Sequence, residues 1–298
     1  SINMRFISFK KNNETYAGLE LVSEGVIQLT KINKSIPNSI NEIIKNYSQF
    51  EETIQKVNDK SNIHYSIDEV EVLSPIPVPI RDIICVGKNY AEHAKEVQRS
   101  SYNTLQGKQA VPTKPIIFTK ATTSVIGPND KINLKNDVTN TTDYEGELGV
   151  IIGKTSKGIS KADAFDVIFG YTIINDVTAR ELQNNHKQWF IGKSPDTYCP
   201  MGPAIITKDE IEDINKIQLK TFVNDEERQV GIVQDMIFDI PTIIETLSRS
   251  MTLLPGDIIA SGTPSGVGIG FDPPKFLKSG DKVKITINPI GTLENTVL

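Results

Sequence analysis

The chain has 298 residues, of which 38% are hydrophobic and 23% charged, the profile of a folded globular protein and not of a disordered one. Its 32 Lys and Arg against 37 Asp and Glu leave a net charge of −5, which excludes the basic field of a nucleic-acid or anionic-membrane binder. Apolar runs such as Ile83-Ile84-Cys85-Val86 fall far short of the roughly 18 residues of a membrane span.

In chain order, residues 5–30 alternate apolar and polar positions between turns at Asn12-Asn13 and Ser23-Glu24-Gly25, which predicts small antiparallel strands. A helix is predicted to begin near Ser39, because Ser39 and Glu42 have capping-box spacing and Ile40, Ile43, Ile44 and Tyr47 recur at helical intervals. The run Ser74-Pro75-Ile76-Pro77-Val78-Pro79 cannot be helical, since each proline fixes its own backbone and extends the residue before it. A domain boundary is placed there, between a small N-terminal α+β domain, residues 4–74, and a larger body, residues 75–298. In the body, strands are predicted at 82–86, 115–119, 147–152, 170–174, 217–223, 256–260 and 282–287, with short helices at 89–97, 178–185 and 241–251. Strand and helix do not alternate regularly, so the expected class is a strand-dominated α+β fold and not a doubly wound sheet. Two cysteines without CxxC spacing, and no signal-peptide pattern before the first strand, make a reducing cytoplasm the expected location.

The segment Asp143-Tyr144-Glu145-Gly146-Glu147-Leu148-Gly149-Val150 carries the most chemical information. On a strand, Glu145 and Glu147 point to one face while Leu148 and Val150 bury the other. Two adjacent carboxylates in so apolar a segment repel each other unless a cation lies between them, and a second strand ending in Asn175-Asp176 supplies a third. Three carboxylates without Cys or His form an oxygen-only set suited to Mg²⁺ or Mn²⁺. On pattern alone, a solvated strand edge is an equally open reading.

Residues Gly87-Lys88-Asn89-Tyr90-Ala91-Glu92-His93-Ala94-Lys95-Glu96 read as a turn and a helix start, with Asn89 and Glu92 at capping-box spacing. His93 and Glu96, three apart, share a face, and the carboxylate could orient the imidazole for taking a proton from water, although an ordinary solvated face has the same spacing. Gly192-Lys193-Ser194 is not a P-loop, because Lys187 stands where the first Walker glycine belongs; Lys193 is a loop cation for an anionic substrate or a plain surface lysine. Arg180 and Gln183 share a helix face just after Asp176 and could reach a substrate carboxylate. The run from Gly262 to Gly270 is a loop and not a dinucleotide fingerprint, since Phe271 occupies the last required glycine position. Cys85 and Cys199 are read as structural.

Taken in order, the Gly-Lys-Asn-Tyr segment with His93 and Glu96, Asp-Tyr-Glu-Gly-Glu-Leu, Asn175-Asp176-Val177-Thr178-Ala179-Arg180, Gly192-Lys193-Ser194 and Ser261-Gly262-Thr263-Pro264-Ser265-Gly266-Val267-Gly268 resemble the fumarylacetoacetate hydrolase superfamily over nearly all of the second domain. The resemblance implies a mixed β roll with short helices, assembled as a homodimer, in which Glu145, Glu147 and Asp176 ligate Mg²⁺ or Mn²⁺. It implies that His93 and Glu96 sit on a lid whose flexible part is the run 98–109, that His93, Glu96 and Lys193 are catalytic, and that Arg180, Gln183 and Thr263 bind substrate. The chain most resembles bacterial members with a small N-terminal domain, such as acylpyruvate hydrolases and oxaloacetate decarboxylases. The expected activity is cleavage of a C–C bond in a small anionic 2-oxo acid through a metal-stabilised enolate, by hydrolysis or decarboxylation to pyruvate. An isomerase of unsaturated 2-hydroxy diacids and a non-catalytic, metal-stabilised binding protein are the alternatives.

Overall fold

The computed structural model describes residues 3–102 and 111–298. The N-terminal segment forms three antiparallel strands, β1 (Arg5–Lys11), β2 (Glu14–Leu21) and β3 (Gly25–Gln28), followed by helices α1 (Ile40–Lys45) and α2 (Tyr47–Val57). α1 starts where the capping residue predicts, with the Ser39 side chain accepting the Glu42 N–H. The chain is helical again beyond Asn46, so Tyr47 opens a second helix and does not close the first.

The body contributes β4 (Ile83–Gly87), α3 (Ala91–Arg99), β5 (Ile116–Lys120), β6 (Gly146–Ile152), β7 (Ile168–Asn175), α4 (Arg180–Asn185), α5 (Phe190–Lys193) and β8 (Cys199–Thr207). It continues with β9 (Gln218–Val223), β10 (Glu226–Ile232), α6 (Ile240–Ser250), β11 (Ile258–Ala260), β12 (Lys282–Ile287) and β13 (Gly291–Thr296). The fold is thus strand-rich with short helices, as expected.

One large sheet runs in the order β3-β2-β1-β8-β7-β6-β11-β4-β5, and a second, antiparallel sheet runs β10-β9-β12-β13. Residues 4–74 join the body through this large sheet, because β1 pairs antiparallel with β8, Arg5 opposite Ile206. The two segments also share a core, in which Phe6, Leu19 and Ile43 pack with Ile83, Ile151 and Ile205. Tyr47 of α2 meets the rings of Phe6 and Phe169 edge-on at centroid distances of 6.0 and 5.0 Å.

Two local expectations are corrected. Asn89 does not cap a helix; its amide donates to the carbonyls of Phe238 and Ser261 at 2.9 and 2.8 Å and accepts the Phe238 N–H, so the first helical residue is Ala91. Residues Thr178–Ala179 are not the start of a helix but pair as a short strand with Thr142–Asp143, and helix α4 begins only at Arg180.

Candidate active site

β6 lies between β7 and β11, so both of its edges are hydrogen-bonded, and every residue from Gly146 to Ile152 is buried, on both faces of the sheet. The antiparallel register sets Glu147 opposite Ile174 and Gly146 opposite Asn175. One step further, the Asp176 N–H donates to the Glu145 carbonyl at 2.8 Å, and the Asn175 side chain accepts the Glu145 N–H at 3.0 Å. Strand pairing therefore brings Glu145, Glu147 and Asp176 together, with one oxygen from each lying within 4.8 Å of the others. Their exposures of 5%, 1% and 0% rule out the solvated-edge reading.

Three cations surround this cluster. Lys193 Nζ lies 3.1 Å from Glu145 Oε1 and 2.9 Å from Asp176 Oδ2. Lys120 Nζ donates to Asp176 Oδ1 at 2.7 Å and to the Val177 carbonyl at 3.0 Å. Arg180 places Nη1 2.8 Å from Glu145 Oε2 and Nε 3.0 Å from Asp143 Oδ2. Burial by itself would raise the Glu145 pKa, but Lys193 and Arg180 outweigh it and hold the carboxyl below its usual range. Burial likewise opposes charge on Lys193, and Asp176 and Glu145 reverse that, raising its pKa.

Glu147 differs from its neighbours. It accepts the Gly262 N–H at 2.9 Å, yet burial, then the charges of Asp176 and Glu145, push its pKa well up. A buried carboxylate so disfavoured beside two others is an electrostatic conflict that a divalent cation relieves, and the donor set is oxygen alone. The residues therefore fit a hard divalent ion, with Glu145, Glu147 and Asp176 as its holders.

Across a small cavity of about 30 Å³, α3 presents His93. Its Nδ1 is 2.8 Å from Glu96 Oε1, and both Glu96 oxygens accept the Gly266 N–H, at 3.2 and 3.1 Å. The glycine loop is shaped to this carboxylate, since a Cβ on Gly270 would overlap Glu96 Oε2 and stand 2.9 Å from its Cδ.

His93, Glu145, Arg180, Gln183, Lys193 and Thr263 all line that one cavity, so residues spread over 171 positions of chain converge there. Their freedom differs. The Thr263 hydroxyl donates to the Gly146 carbonyl at 2.8 Å and receives the Gln229 amide at 2.7 Å, leaving it only acceptor capacity toward a ligand. Arg180 Nη2 is buried and without a hydrogen-bond partner among the described residues, a donor left for an anion. A larger cavity of about 690 Å³, beside Tyr47 and Phe169, contains none of these groups.

Sequence reasoning passed over three residues here. Lys120 ends an apolar strand, which was the available signal, and it is completely buried on Asp176. Asp143 belongs to the carboxylate motif but had no role; it accepts the Gly268 and Ile269 N–H groups at 2.7 and 3.0 Å, tying the glycine loop to Arg180. Lys88, at a positive φ of 51°, lines the cavity, and burial lowers its pKa. Both cysteines are buried, and burial pushes the Cys199 thiol up to about 12, which removes it as a nucleophile at neutral pH. Of the run 98–109, residues 103–109 lie outside the described residues. Among the described residues no helix is long and apolar enough to cross a membrane.

Residues 82–298 match the family described as fumarylacetoacetate (FAA) hydrolase C-terminal. The oxaloacetate tautomerase YisK of Bacillus subtilis is 48% identical over 99% of this chain and 100% of its own length. A fumarylacetoacetate hydrolase from the psychrophile Exiguobacterium antarcticum superposes with a TM-score of 0.83 at 40% identity, covering 99% of both chains. The maleylpyruvate hydrolase of Sphingobium sp. SYK-6, solved with manganese(II) and pyruvate, gives a TM-score of 0.78 at 28% identity, again over 99% of both.

Proposed function

From the premise that the chain belongs to the fumarylacetoacetate hydrolase family, we propose that it is a divalent-metal-dependent enzyme that moves a proton at C3 of a small 2-oxo diacid, interconverting the keto and enol forms of oxaloacetate. The observation that carries this reading is a cluster of three buried carboxylates whose Glu145 shares one cavity with Lys193 and with His93, itself paired to Glu96. The similarity in sequence to an oxaloacetate tautomerase favours this substrate.

Mg²⁺ or Mn²⁺ held by Glu145, Glu147 and Asp176 would supply Lewis-acid stabilisation of the charge that develops on the C2 oxygen. Everything else belongs to the chain. Lys193 and Arg180 give an acidic protein the local positive charge that a dianion requires. His93, oriented through Nδ1 by Glu96, lines the cavity and takes the proton that leaves C3. The same imidazole returns that proton to the C2 oxygen, so the enol forms with no change in composition. A helix roof over a cavity this small keeps bulk water from the enolate.

A second reading, C–C cleavage of an acylpyruvate or decarboxylation of oxaloacetate, draws support from the same dyad, because a His–Glu pair can also activate water for attack at C4. The two readings separate in one assay. Freshly dissolved enol oxaloacetate is followed by its ultraviolet absorbance, with a coupled lactate dehydrogenase reporting pyruvate, in Mg²⁺, Mn²⁺ or EDTA. Metal-dependent loss of enol without pyruvate is the expected result; metal-dependent pyruvate supports the second reading, and neither signal refutes both.

A further inference from the structure

Lys193 lines this cavity beside the carboxylate cluster, where its Nζ bonds two of the three carboxylates. Behind Lys193 stands an aromatic wall. Its Nζ sits 4.9 Å from the Phe118 ring centroid, and the Phe118 ring meets Trp189 edge-on at 5.1 Å and 71°. Both rings line the cavity. Trp189 and Lys193 are one helical turn apart, and the Lys193 N–H donates to the Trp189 carbonyl at 3.0 Å, so wall and lysine form one unit.

Gly87, the last residue of β4, makes room for this wall. A Cβ there would overlap Trp189 Cζ3 and come within 2.8 Å of Cη2. The Gly87 backbone is not in the left-handed region, so it is the indole and not the turn that excludes a side chain at this position.

We propose that Trp189, braced by Phe118 and seated against Gly87, is the specificity-determining wall that limits the group carried on C3 of the 2-oxo acid, admitting a carboxylate and refusing a ring. The proposal rests on the tautomerase reading above for the identity of the substrate, but the wall itself is a statement about size. An apolar wall discriminates by overlap, and a misfit of one methylene in such a pocket is worth roughly 10- to 200-fold.

The test compares the enols of oxaloacetate and phenylpyruvate, two 2-oxo acids that differ at C3 by a carboxylate against a phenyl ring. Each is assayed for tautomerisation, and each is titrated calorimetrically into the Mn²⁺-loaded protein. In Trp189→Ala the ratio of kcat/KM for phenylpyruvate to that for oxaloacetate should rise at least about tenfold, with the ratio of affinities moving the same way. Trp189→Phe, which keeps a ring, should stay within about threefold of the wild-type ratio, and Gly87→Ala, which drives the indole toward the cavity, should raise the oxaloacetate KM without raising the ratio. If Trp189→Ala does not fold, Trp189→Leu is judged by the same criterion. An unchanged ratio in a variant that still binds Mn²⁺ overturns the wall. Absence of turnover in the wild type, together with phenylpyruvate binding gained by Trp189→Ala, overturns the tautomerase reading and leaves the wall standing.

Discussion

The floor of the cavity is set into strands buried on both faces, where Glu145, Glu147 and Asp176 are placed by the β6–β7 backbone register, whereas its roof, α3, is tied down by side-chain contacts. The roof is held by Glu96 on the Gly266 N–H and by a small cluster of Val97, Val267 and Ile269. Backbone ladders in a sheet core open only with global unfolding, while a helix held by a few side chains can open locally. The proposed metal holders and the proposed proton-transfer pair thus lie in regions held by different kinds of contact.

Substitutions should respect that division. Glu147→Ala is expected to have the largest effect, abolishing Mn²⁺ binding by calorimetry and lowering kcat/KM by more than the roughly 10- to 100-fold typical of an outer-shell partner. Because burial and two like neighbours disfavour the ionised form of Glu147, which the unfolded chain adopts freely, Glu147→Gln should raise the melting midpoint of the metal-free protein while losing the metal. A lowered midpoint would show that the cluster stabilises the fold without an ion. In the roof, His93→Gln should lower kcat by roughly 10²- to 10⁴-fold with Mn²⁺ affinity kept; a parallel loss of affinity would place His93 in the floor.

Gly270→Ala sharpens the comparison further. Its methyl would displace Glu96, and a catalytic pair moved by about 1 Å can lose up to about 100-fold in rate. The expected signature is a fall in kcat with unchanged metal affinity, read from steady-state kinetics and Mn²⁺ titration side by side. A drop in Mn²⁺ affinity instead would show floor and roof to be one mechanical unit.

The smallest effect lies far from both. His64 Nδ1 accepts the Gln28 N–H at 2.9 Å, which requires an unprotonated nitrogen, and partial burial, then Lys31, lowers its pKa. With the folded value below the unfolded one, near 6.5, the contribution of His64 to stability is present above that pH and is lost as pH falls through the folded pKa. Chemical denaturation between pH 7.5 and 5 should show a slope that is shallower in His64→Gln; identical slopes would assign the acid sensitivity elsewhere.

How far the sequence could be read follows the same division. The carboxylate strand was legible because period-two placement of Glu145 and Glu147 is local, and the His93–Glu96 pair because i,i+3 spacing is local. Strand β8 was not, since Pro200, Gly202 and Pro203 hide a central strand, one of whose partners, β1, lies at the other end of the chain. The use of Asn89 was misread for a related reason: its capping-box spacing is local, but the carbonyls that claimed its amide, on Phe238 and Ser261, are 149 and 172 residues away. Lys120 and Asp143 stayed without roles because a buried ion pair is a property of tertiary approach, not of spacing. The joining of residues 4–74 to the large sheet is likewise invisible in a proline run that reads locally as a break.

The central claim, that this carboxylate cluster supports metal-dependent proton movement at C3, is tested most directly by exchange of the oxaloacetate C3 protons into D₂O, followed by NMR. The metal-free protein, the Mg²⁺-loaded protein and the Mg²⁺-treated Glu147→Ala variant are compared. Exchange accelerated by the loaded wild type, and restored to the uncatalysed rate both by metal removal and by the substitution, is the predicted result. Exchange at the uncatalysed rate in the loaded wild type, or acceleration that survives Glu147→Ala, would contradict it.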